Sequence, residues 1–125
     1  MIVLITIGNK VKTISKNEFS GCAKLQTVKL GTGLTTIGDG AFSGLKKMKS
    51  INIPSKVTKI GKNAFKNCTK LNKVTIKSSK IKTFGKNCFK GIAKKATIVV
   101  PKKKLKAYTK AIKKTGVAKT VKIKK

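Results

Sequence analysis

The chain has no histidine and no arginine, and it sets only two carboxylates, Glu18 and Asp39, against 32 basic residues, every one of them lysine. Without histidine or a paired set of acids the usual apparatus of general acid–base catalysis is missing. Without arginine the planar fork that favours base-edge readout in nucleic acids is missing too. Cysteine is sparse, and Cys22, Cys68 and Cys88 show no CxxC spacing and no histidine to complete a zinc site. The longest apolar run, residues 1–7, falls well short of the roughly 18 residues a membrane-spanning helix requires. That run also lacks the basic n-region and the cleavage site of a signal peptide. Phosphate-cradling loops and metal-ligand clusters are absent as motifs. Neither catalysis, a cofactor nor a metal is therefore expected.

What is present is a repeat of about 23 residues, carried through four copies. Aligned on the first large apolar residue, the copies start at Ile14, Ile37, Ile60 and Phe84. A Phe follows at plus five (Phe19, Phe42, Phe65, Phe89) and an apolar residue or Cys at plus eight (Cys22, Leu45, Cys68, Ile92). Three copies continue with Leu25, Met48 and Leu71 at plus eleven, where the fourth has Lys95. All close on an alternating pair: Val28 and Leu30, Ile51 and Ile53, Val74 and Ile76, Ile98 and Val100. A fixed period in this range predicts a solenoid, in which each unit buries its apolar side only against its neighbours. Ile5 and Ile7 align with a closing pair, so the chain begins mid-repeat, either as a fragment of something longer or with an exposed first coil.

One repeat, residues 57–76, shows how the coil is built. Gly61 matches Gly38 and Gly85, where a side chain would obstruct a tight turn. The stretch 62–66 has room for about one helical turn. Asn67 then matches Gly21, Gly44 and Gly91, a recurrent position for the left-handed residue that ends a helix. Residues 72–76 alternate polar and apolar with β-branching, as a strand with one buried face does. Stacked copies would join these strands into a parallel sheet along one side, with short helical turns opposite. Past Val100 the pattern changes. Pro101 opens an amphipathic helix, 101–115, with Leu105, Tyr108 and Ile112 on its apolar stripe and Gly116 as its C-cap. A final strand, 119–124, turns Val121 and Ile123 inward. The predicted organisation is a partial coil and four repeats over residues 1–100, with a helix-and-strand cap over 101–125.

The segments IGDGAFSGLKKMKSINIP (37–54) and IGKNAFKNCTKLNKVTI (60–76) resemble the BspA-type, or treponemal-type, leucine-rich repeats of bacterial surface proteins. The resemblance spans about residues 1–100 and rests on several positions that recur together. It implies an α/β solenoid, a right-handed leucine-rich-repeat superhelix, on cell-surface or secreted proteins that adhere to matrix proteins, other cells or surfaces. The Lys-rich closing helix and strand are similar to the C-terminal ends of such repeats in gut Firmicutes. No binding residue is fixed by the repeat motif.

Two candidate surfaces follow from the stacking. Lys24, Lys47, Lys70 and Lys94 recur at plus ten and would form a column about 5 Å apart at strand spacing. Lys16, Lys62 and Lys86 form a second column, interrupted by Asp39. Close like charges repel, so each column should gather counterions or an anionic chain. The plainer alternative is a solvated face rich in lysine. The outward strand positions, Thr27, Lys29, Ser50, Asn52, Lys73, Thr75 and Thr97, are small, polar and varied, which suits a protein or glycan partner. Cys22 and Cys68 read as small buried apolar residues, roughly 10 Å apart with Leu45 between them, too far for a disulfide. Ser43 to Lys46 spells S-x-x-K and Lys114 to Gly116 spells KTG, two elements of penicillin-recognising serine enzymes. With so many lysines the first arises by chance, the second falls at a helix end, and the S-D-N element is lacking.

The functional expectation is thus a binding or adhesion module with a protein or glycan ligand, a monomer or part of a longer chain with no membrane span. The competing expectation is a nonspecific binder of polyanions or nucleic acid, driven by a net charge of +30. A purely structural spacer is the third.

Overall fold

The computed structural model describes residues 3–125. Its early strands are β1 (Val3–Thr6), β2 (Thr13–Ile14), β3 (Leu25–Lys29), β4 (Thr36–Ile37) and β5 (Ser50–Ile53). They continue as β6 (Lys59–Ile60), β7 (Lys73–Ile76), β8 (Thr83–Phe84) and β9 (Thr97–Val99), before helix α1 (Leu105–Lys113) and strand β10 (Lys122–Lys124). Every strand pairing is parallel. The two-residue strands form one ladder, β2-β4-β6-β8. The longer strands lie on another side as two sheets, β1-β3 and β5-β7-β9-β10. The result is a stack of about five coils. The repeat positions meet in register, Ile51 beside Val74 beside Ile98.

The core is the repeated skeleton itself. Phe42, Phe65 and Phe89 are fully buried, and with half-buried Phe19 they stack ring on ring at 5.5, 5.4 and 5.7 Å between centroids. Such offset pairs add ~0.5–1.5 kcal/mol each beyond the area they bury. Leu45, Cys68, Met48 and Leu71 are buried in the same core. In the fourth coil the chain slips by one residue. Lys95 is exposed and Ala96 takes the buried place instead.

The segment expected to form one helical turn is a run of tight turns. Its amides at plus three, five and seven do not close onto their own coil but donate to the next one. Asn17, Phe19 and Gly21 donate to the carbonyls of Asp39, Ala41 and Ser43, and Gly40, Phe42 and Gly44 to those of Lys62, Ala64 and Lys66. This needs two left-handed residues per coil. One is the anticipated set Gly21, Gly44, Asn67 and Gly91, and the other is Asn17, Gly40, Asn63 and Asn87, all at positive φ. Gly61 is required for a different reason: a Cβ there would lie 2.5 Å from the Asp39 amide nitrogen of the preceding coil.

The parallel sheet of longer strands is not continuous. No ladder joins β3 to β5. At the far end a short 3-10 turn, Lys102–Lys104, follows Pro101 before α1 begins, and Gly116 takes φ +98 just past it. The last strand is shorter than the sequence suggests, because a turn closed by the Val121 amide on the Ala118 carbonyl precedes it. Tyr108 locks α1 to the stack. Its hydroxyl donates to the Ser78 carbonyl at 2.8 Å and accepts the Ile81 amide at 3.0 Å, while its ring meets Phe84 edge-on at 5.1 Å.

Cysteine placement differs from the sequence reading at one position. Cys68 and Cys88 are buried, but Cys22 is exposed. It belongs to the turn segment of the first full coil, which among the described residues is covered by the following coil only, because the partial coil before it supplies strand β1 and no turn segment. Burial pushes the Cys68 thiol up to about 11 and the Cys88 thiol up to about 12.

Candidate functional site: the strand face and its opening

Alternation along each strand sends every second side chain outward. In β5 and β7 the outward residues are Ser50, Asn52, Lys73 and Thr75, the inward ones Ile51, Ile53, Val74 and Ile76. Register then builds two rows across the stack. One runs Ser50, Lys73, Thr97, Lys122, and the other Asn52, Thr75, Val99, Lys124. Thr27 and Lys29 lead the same rows on β3, beyond the break, beside Leu4 and Thr6 of β1. Lys122 and Lys124 were not among the sequence-derived candidates. The inward assignment of Val121 and Ile123 already implied them, but the cap interrupts the 23-residue spacing that would have drawn attention to them.

The break between β3 and β5 is where the two candidate surfaces meet. An open trough of about 600 Å³ spans it, bringing Thr27, Lys29, Ser50 and Asn52 of the strand face together with Lys47 and Lys70 of the plus-ten column. Gln26 and Lys49, at plus twelve in their repeats, also line it. They escaped sequence reading because they precede the alternating pair and carry no recurrent residue type. A second hollow of about 310 Å³ shares Val28, Lys29 and Asn52 with the first, so the two form one groove that continues to Ser55 and Lys77. Lys24 and Lys94 are exposed but lie outside the groove, as do Lys73, Thr75 and Thr97.

The turn side carries a different polar hollow of about 550 Å³, lined by Lys16, Asn17, Asp39, Lys62 and Asn63 among others. Here the main chain is already occupied: the Asn17, Gly40 and Asn63 amides donate to the next coil, and the Lys62 amide donates to Asp39 Oδ1 at 2.9 Å. Asp39 therefore serves the fold and also breaks the second lysine column.

Parallel coils over one apolar core, with varied side chains held in register on a sheet face, define a leucine-rich-repeat solenoid. The BspA-type leucine-rich-repeat region matches residues 2–118 in six copies, running past the four repeats into the cap, and the chain belongs to this family. It is similar to the crystal structure of a leucine-rich repeat protein from Bacteroides ovatus, with a TM-score of 0.78 and 27% identity over 94% of this chain. The match covers 29% of that protein's length. No curated protein matches. Such a repeat family points to an interaction module. Among the described residues no helix is long and apolar enough to cross a membrane.

Proposed function

We propose that this chain is a non-catalytic binding or adhesion module of a bacterial cell-surface or secreted protein, recognising a protein or glycan through the outward face of β3, β5, β7 and β9. In this reading residues 1–100 form the recognising solenoid and 101–125 its cap. The observation that carries it is the register of the strand face, which holds Ser50, Asn52, Lys73, Thr75 and Thr97 at fixed spacing over a buried core, with Thr27 and Lys29 facing outward on β3 across the break. A rigid scaffold with unlike side chains encodes shape and hydrogen bonding at little ordering cost. Surface placement draws on the family, whose members are often surface-exposed or secreted.

The test is binding to a panel of duplex DNA, heparin, wall polymer and matrix proteins, each titrated with salt, for the wild type and for a triple alanine variant at Asn52, Lys73 and Thr75. One partner that persists at high salt and is lost in the variant supports the module. The second reading, a nonspecific polyanion binder using Lys24, Lys47, Lys70 and Lys94, is favoured by Lys47 and Lys70 entering the trough. It predicts that every polyanion binds and that all affinity vanishes as salt rises.

A further inference from the structure

We propose that the opening between β3 and β5 is a subsite for a linear acidic glycan, with the carboxylate or sulfate groups of the sugar chain seated between Lys47, Lys49 and Lys70. The inference rests on the strand-face reading above and narrows its partner to one chemical class. Three observations meet at this place.

The first is charge. Among the described residues five lysines, Lys29, Lys47, Lys49, Lys70 and Lys77, and no carboxylate line the joined groove. A concave cluster of one sign, walled by protein, concentrates the field and draws in the opposite charge.

The second is the main chain. In a parallel ladder successive residues direct their amide and carbonyl groups to opposite neighbours. The Lys49 carbonyl accepts from the Asn72 and Lys73 amides and the Ile53 carbonyl from the Lys77 amide, so the odd-numbered residues of this strand face β7. Ser50 and Asn52 therefore face β3, with which no ladder forms. Farther along, Pro54 has no amide to offer across the gap. Amides without ladder partners, beside lysines, suit an anion. The turn-side hollow differs on both counts, since its amides are spent on the next coil and Asp39 lies in it.

The third is what the groove lacks. It has no aromatic side chain on which bases could stack. It has neither the tryptophan, tyrosine nor arginine that dominate protein–protein hot spots. What it offers instead are hydroxyls and amides from Thr27, Ser50, Asn52, Gln26 and Thr32, the complement of sugar hydroxyls. The five residues of β3 extend about 15 Å, enough for a short oligosaccharide lying along the strands.

The experiment is calorimetric titration of the intact chain in about 0.15 M salt with a heparin-derived hexasaccharide and a galacturonate hexasaccharide. Maltohexaose, a single-stranded oligonucleotide and an acidic peptide of matched charge serve as comparators. The variants are Lys47→Gln with Lys70→Gln, the near-isosteric Asn52→Asp, and, as a charge-matched control on the turn side, Lys62→Gln with Lys86→Gln. Circular dichroism checks that each is folded. We expect an acidic hexasaccharide to bind more tightly than the oligonucleotide or peptide, and both groove variants to lose at least about tenfold in affinity while the control stays within about twofold. Equal losses in groove and control variants overturn the subsite in favour of diffuse charge. Tighter binding of the oligonucleotide or peptide overturns the ligand class. If no acidic glycan binds while a protein partner does, sensitive to Asn52, Lys73 and Thr75, the subsite falls and the binding module stands.

Discussion

At the residue scale the three cysteines separate cleanly by environment. Cys68 donates its thiol to the Phe42 carbonyl at 3.1 Å inside the core, and Cys88 lies equally deep, whereas Cys22 faces solvent. Burial disfavours the thiolate, the reactive form, and so lifts the Cys68 and Cys88 thiols to about 11 and about 12 from an ordinary 9.0. A maleimide or disulfide reagent between pH 7 and 9 should therefore label Cys22 alone in the native protein and all three thiols in denaturant. Fast native labelling of Cys68 or Cys88 would show that the stack opens locally. The sign of the linkage follows. Thiols raised in the folded state contribute stability that is fully present below pH 9.0 and is lost as pH climbs through about 11 and 12. Cys22, exposed in the first full coil, shows a limit of reading positions by their repeat. The apolar slot at plus eight was legible, but burial also requires a coil on each side.

At the element scale the question is what joins α1 to the stack. The apolar stripe of Tyr108 and Ile112 was readable from helical spacing, and both are buried. The hydroxyl of Tyr108 carries a further role, because it closes the otherwise unpaired Ile81 amide and Ser78 carbonyl 27 and 30 residues away. Tyr108→Phe should leave the helix packed but strand those two groups in a buried site, at a cost of ~1–3 kcal/mol. Chemical denaturation would read this as a lowered midpoint with an unchanged slope. A near-neutral result would mean that water satisfies the two groups in the variant. The strands were legible because alternation and β-branching report a half-buried face, whichever coil they pair with. The turns were not, since the length of a segment does not reveal that its amides serve the next coil. The clue was present in Asn17, Gly40, Asn63 and Asn87, residue types that tolerate positive φ. The opening between β3 and β5 had no comparable clue in the repeat, where Val28 and Ile51 obey the same pattern as their neighbours.

At the scale of the whole molecule, fold and ligand should respond to salt with opposite sign. A net charge of +30 on 125 residues makes the compact state repel itself. The plus-ten column concentrates it, since Lys24, Lys47, Lys70 and Lys94 are all exposed and strand spacing would set neighbours ~5 Å apart wherever the coils pair. Pairs this close repel by roughly 1 kcal/mol in water, and few carboxylates are present to offset them. Raising ionic strength from ~0.01 to ~0.5 M shortens the Debye length from about 30 Å to below 10 Å. Repulsion between distant lysines then disappears while the apolar core, including the Phe19, Phe42, Phe65 and Phe89 stack, is untouched. Thermal unfolding followed by circular dichroism should therefore shift upward by several degrees across that range. Affinity for an acidic glycan in the groove should fall over the same range, because part of it comes from counterions released by Lys47, Lys49 and Lys70. A melting temperature that does not move would mean that the lysines are already neutralised by bound anions at low salt. Repeating the melt after extensive exchange into a strongly hydrated, weakly binding anion such as fluoride, at constant ionic strength, would then reveal them as a loss of stability.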